Sequence, residues 1–138
     1  MGTRSLVHIK DEGKTILSLY RQFDGYPSGI GNDIKTILNS GNVEMRNGYN
    51  PLQDKAPLQF NGVGCLAAYL VGKLKDNTIG NVYVFPPNSK KVGEEYTYTV
   101  SLNKQNEITL KVVDVWNKKI MFNGLLSNFD GEKIESNN

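Results

Sequence analysis

One cysteine in the chain excludes an internal disulfide, and a single histidine beside it leaves no Cys/His set for a zinc cluster. Arginine is almost as scarce, three against thirteen lysines. With a formal net charge of only +2, the strongly basic surface of a binder of long nucleic acids is not indicated. A small anionic ligand is still allowed, because a pocket needs local positive charge and not a basic protein. No run of about eighteen apolar residues occurs, and no charged segment followed by an apolar one opens the sequence. Neither a membrane span nor a secretory leader is therefore expected, and the expected location is the cytoplasm. Nucleophile elbows, P-loops and HExxH motifs are also missing.

What is present describes an ordinary globular chain. Hydrophobic residues at 38% and charged residues at 22% suit one domain with a real core. Two β-rich runs, "LVHI" (6–9) and "TILSLY" (15–20), flank the acidic turn "KDEGK" and read as a hairpin. Ile30 and, in "GNDIKTILNSGN" (31–42), Ile34, Ile37 and Leu38 recur at helical spacing, so a short helix is expected over 33–39, capped by Asn32 or Asp33. Residues 41–61 are rich in Pro, Gly and Asn and read as a long connection. "GVGCLAAYLVGKLKDN" then places Leu66, Leu70 and Leu74 on one stripe with Ala67, Ala68 and Val71 beside it, a second and largely buried helix.

Beyond residue 80 the period changes. "NVYVF" (81–85), "EYTYTVSL" (95–102), "ITLKVVDV" (108–115) and "KIMFN" (119–123) read as strands joined by hairpin-length links. The expected fold is α+β: an antiparallel sheet of about six strands in the order ββααββββ, with two helices packed on one face. Residues 1–124 form the single domain. The polar tail, 125–138, is expected to be partly disordered and to fray after Phe129.

Candidate chemistry is sparse. His8 shares strand parity with Leu6 and reads as a satisfied structural imidazole before a base. Cys65 reads as a packed thiol before a nucleophile. Asp11-Glu12 is a solvated turn, and Glu94-Glu95 opens a strand. More informative is "YRQFDGYPSG" (20–29). Parity from Leu17 and Leu19 turns Arg21 toward the core, where a guanidinium needs a carboxylate or a bound anion. Asp24 is the nearest partner in sequence. An Arg–Asp clasp holding a loop and a ligand loop leading to a helix N-terminus are both consistent with these residues. Gly62 and Gly64 open the second helix in the same manner, with close packing as the other explanation. In "YVFPPNSKKVGEEYTY" (83–98), an aromatic face, lysines and carboxylates could meet in one hairpin mouth; a solvated loop with Tyr83 and Phe85 in the core is the plainer reading.

Together "MGTRSL" (1–6), "YRQFDGYPSG" (20–29), "FNGVGCLAA" (60–68) and "GEEYTY" (93–98) resemble a family of small phage proteins, the first of the Thoeris anti-defence families. The similarity runs from residue 1 to about residue 124. The resemblance implies a non-enzymatic sponge without a cofactor. It would hold cyclic ADP-ribose isomers made by bacterial TIR-domain proteins unchanged, within the host cytoplasm. It also implies homodimers that associate further into hexamers, with pockets at the dimer interface, and in some members separate sites for cyclic oligonucleotides. Where the family pattern has "SGHG" this chain has "SGIG", so a polar role at Ile30 is lost. Physical reading within the matched motifs puts ligand binding on Arg21, Gln22, Asp24, Tyr26, Asn61, Gly62, Tyr83, Phe85, Asn88 and Glu95. The competing classes are a phosphodiesterase or nucleotide hydrolase using Glu94, Glu95 or Asp24 with a metal, and a phage structural or adaptor protein.

Overall fold

The computed structural model describes residues 2–46, 58–76 and 78–137. Strands β1 (Ser5–Asp11) and β2 (Lys14–Arg21) form the expected hairpin, closed by Glu12 and Gly13 with φ of 52° and 80°. A short π-helical turn, Pro27–Gly31, runs directly into α1 (Asn32–Ile37). Two-residue strands β3 (Glu44–Met45) and β4 (Gln59–Phe60) pair in parallel ahead of α2 (Gly62–Lys75). Of the long connection expected over 41–61, residues 47–57 lie outside the described residues. Then follow β5 (Val82–Phe85), β6 (Tyr96–Leu102), β7 (Ile108–Asp114), β8 (Lys119–Leu125) and α3 (Gly131–Ser136).

The fold is α+β, built on a six-stranded sheet in the order β5-β2-β1-β6-β7-β8. All pairings in it are antiparallel except β1–β6, which run parallel. This corrects the expected fully antiparallel sheet, while β3, β4 and α3 are added to the expected ββααββββ order. The cause of the parallel pairing is β5. Instead of turning back onto β6, it pairs with β2 at the outer edge, and the connection 86–95 must cross β2 and β1 to reach β6. Hydrogen bonds from Asn88 N–H to Ser18 Oγ at 3.0 Å and from Glu95 N–H to the Arg4 carbonyl at 2.9 Å tie it down. The hairpin mouth expected over 83–98 is therefore not formed.

Alternation along the strands decides what each face of the sheet carries. Val7, Ile9, Leu19, Tyr98, Val100, Leu110 and Val112 share the face on which Ile34 and Leu38 of the α1 segment and Val63, Leu66 and Leu70 of α2 are packed. Leu6, His8, Ser18 and Tyr20 point the other way, toward the crossing connection.

Two expectations about burial fail for identifiable reasons. Only one stripe of α2 is covered, Val63, Leu66, Ala67 and Leu70, so Cys65, one position off it, is exposed and is not a packed thiol. The polar tail continues past Phe129 into α3. Leu126 and Phe129 are fully buried, and Phe129 meets Phe122 edge-on with ring centroids 5.3 Å apart. The polar residues beyond them are used as clamps. Asp130 caps α3 by accepting from Lys133 N–H, and the Glu135 carboxylate accepts from Ser28 N–H at 2.7 Å and Ser28 Oγ at 3.0 Å. Asn32 binds the chain on both sides, donating to Glu132 and accepting from Gly131 N–H.

Candidate functional site

Arg21 ends β2 on the helix-facing side, opposite Ser5 of β1 and Val82 of β5. Its side chain is 12% exposed, and Nη1 donates to Asp33 Oδ2 at 2.7 Å. Asp33 lies in the first turn of α1 and is half in solvent, at 48% exposure. Asp24 is not the partner. It adopts φ of 57° in the following loop, where its carboxylate accepts from Tyr26 Oη at 3.1 Å, so the Arg21–Asp24 clasp is replaced by Arg21–Asp33. That hydrogen bond raises the Tyr26 phenol above its ordinary value, with the Asp24 charge adding to it. Arg21 Nε is enclosed and has no acceptor among the described residues.

The pair opens onto a cleft of about 340 Å³ between α1, α2 and the start of β5. Thr36 and Ile37 of α1, Lys73 and Leu74 of α2, and Asp76, Thr78 and Asn81 complete its wall. Asn81 is set by the loop it borders, its carbonyl accepting from Gln22 N–H at 2.7 Å and its side chain from Phe23 N–H at 3.1 Å. Lys73 lies over the Tyr69 ring at 5.6 Å and makes no ion pair among the described residues. A second hollow, of about 350 Å³, shares Lys73 and Asp76 and continues past Tyr69 and Gly72. Cations, carboxylates, an amide and hydroxyls over an apolar floor of Ile37 and Leu74 suit a ligand that carries both phosphate and hydroxyl groups.

The ten residues expected to bind do not converge on one point. Arg21 lines the cleft, and Gln22 holds its rim through the backbone. Asp24 and Tyr26 pair in the adjoining exposed loop. Asn61 and Gly62 start α2, about 21 Å of helix away from Lys75 at its other end. Gly62 has φ of 83°, and among the described residues neither it nor Gly64 has a neighbour that a Cβ would touch. The first helix start differs: a Cβ on Gly31 would come within 2.6 Å of the Phe129 ring, which makes that glycine a packing residue.

Tyr83 and Phe85 lie on the opposite sheet face, paired with Tyr20 and Ser18. Phe85 stacks on Tyr20 with centroids 5.0 Å apart and planes 3° apart, which leaves the half-exposed Tyr83 the more accessible ring. Asn88 follows on the crossing connection, anchored at Ser18. Glu95 borders a separate hollow of about 210 Å³ with Arg4, Gly93 and Trp116. Glu94 is buried and accepts from Lys91 and Val92 N–H, a turn-holding role. His8 contacts Ser18 Oγ at 2.7 Å, and burial, with Lys10 adding to it, lowers its pKa. Sequence reasoning missed Lys73, Asp76, Thr78 and Asn81, and took Asp33 only as a helix cap. Nothing in their local spacing joins them; the Arg21 parity was the one signal that pointed here.

No protein-family model, no curated protein and no solved structure matches this chain. No helix among the described residues is long and apolar enough to cross a membrane.

Proposed function

We propose that the protein binds and sequesters a cyclic ADP-ribose-type immune signal without cleaving it, and so acts as a phage anti-defence protein. The observation that carries this reading is the cleft in which Arg21 and Lys73 face Asp33, Asp76 and Asn81. Its cations suit a pyrophosphate, and its carboxylates and amide suit ribose hydroxyls. A cyclic oligonucleotide presents the same chemistry and is a second ligand class for the protein. A homodimer or larger assembly fits the size of such a ligand, because an open cleft of about 340 Å³ in one chain does not enclose a dinucleotide. Of the three carboxylates of the hydrolytic alternative, Glu94 accepts from Lys91 and Val92 N–H and Asp24 from Tyr26 Oη, while Glu95 borders the separate hollow beside Arg4.

The test is recovery of the ligand. Purified protein is incubated with a panel of cyclic ADP-ribose isomers, separated from free nucleotide and denatured, and the released compound is identified by mass. Intact release of a retained isomer is expected. A cleaved product would establish the phosphodiesterase or nucleotide hydrolase reading instead. Retention of no isomer or cyclic oligonucleotide would leave an adaptor.

A further inference from the structure

We infer that the Arg21–Asp33 ion pair is an exchangeable internal contact, in which the Asp33 carboxylate holds the place of a ligand phosphate and selects which anions the cleft accepts. The inference deepens the reading above and rests on the cleft being the ligand site.

The geometry of the pair is that of a stand-in. A guanidinium presents five N–H donors in a planar fork that matches phosphate or carboxylate in bidentate fashion. Among the described residues only Nη1 is used on a side chain, by one oxygen of Asp33, while Nε is enclosed without an acceptor. The two partners also differ in burial. Arg21 is held by the sheet and the core at 12% exposure, whereas Asp33 is at 48% and can turn outward without being desolvated further.

A phosphate that displaces Asp33 takes its place on Nη1, offers a further oxygen to the Nε edge once Asp33 has turned out, and gains a second cation, Lys73, which makes no ion pair among the described residues. A monocarboxylate gains less, since its single charge replaces that of Asp33 and leaves none for Lys73. The lining charges at Arg21, Lys73, Asp33 and Asp76 cancel while Asp33 faces inward. When it turns out, the cleft becomes locally positive. Asp33 therefore acts as an autoinhibitory contact: it keeps the cleft closed to monoanions and yields to a pyrophosphate.

Inorganic pyrophosphate is the probe, with acetate as the monocarboxylate control, followed by calorimetry on the wild-type protein, Asp33→Asn and the double variant Asp33→Asn/Arg21→Lys. Loss of the competing carboxylate should tighten pyrophosphate binding about tenfold, because a like charge beside the ligand is removed. The double variant should lose that gain. In the wild type, the Arg21 Nε–H resonance should shift with pyrophosphate and not with acetate, a readout that stands even if Asp33→Asn folds poorly. Equal or weaker binding by folded Asp33→Asn, or an Nε–H resonance unmoved by saturating pyrophosphate, would overturn the inference. If no variant binds pyrophosphate while a cyclic ADP-ribose isomer is still retained intact, the inference fails and the proposed function survives. If Asp33→Asn gains affinity but no isomer is retained, the inference stands and the proposed function fails.

Discussion

Replacing Phe129 by alanine tests whether the polar end of the chain belongs to the fold. The ring is fully buried, meets Phe122 edge-on at 5.3 Å and 79°, and fills the space beside Gly31, where a Cβ would come within 2.6 Å of it. Truncating a buried phenylalanine removes its transfer free energy and leaves a cavity, together about 3–5 kcal/mol. With an unfolding entropy of about 2.1 cal/mol/K per residue, the 138-residue chain should lose about 10–17 °C in Tm. Phe129→Leu keeps most of the volume and should cost only about 1–1.5 kcal/mol. Differential scanning calorimetry and urea unfolding give both numbers, and an unchanged m-value would show that stability alone has moved. A Tm within about 3 °C of the parent for Phe129→Ala would refute the reasoning. It would mean that the segment after β8 is detached in solution, as its polar composition suggests.

Two further outcomes are expected. Cys65 is exposed on α2, so a thiol reagent should label the native protein at close to the rate of the urea-unfolded one; protection until the melt would place the thiol inside and contradict the α2 stripe. His8 has a folded pKa lowered by burial and by Lys10, so between that value and its ordinary value near 6.5 the unfolded state binds more protons. Its contribution is present above about pH 6.5 and is lost as pH falls through that window. The urea midpoint should therefore decline between pH 7.5 and 5.5 more steeply for the native protein than for His8→Asn. Parallel curves for the two would show that the imidazole titrates alike in both states.

Much of the fold was legible because it follows from local periodicity. Alternation in "EYTYTVSL" and "ITLKVVDV" marked β6 and β7, and the Leu66–Leu70 spacing marked α2, since a strand or helix that must bury one face repeats its apolar residues at that element's own period. The same parity turned Arg21 toward the helix face and required an anionic partner for it. Which partner was a different matter. Asp24 is three residues away and Asp33 twelve, and only the path of the π-helical turn into α1 brings the second carboxylate to the guanidinium. Periodicity is blind to strand order for the same reason. The run "VYVF" is a strand whether it pairs with β6 or β2, and the choice of β2 turned an expected hairpin into a crossing connection and separated Tyr83 and Phe85 from the cleft. Composition misjudged the C-terminal segment as well, because Asp130, Glu132 and Glu135 look like a solvated tail until Ser28, Asn32 and the Lys133 amide are there to receive them. The sequence by itself determined the longer strands and helices and which side chains share a face within each strand. The tertiary structure alone decided which of those faces meet, because contacts between residues distant in the chain depend on the packing of the whole sheet and leave no period to read.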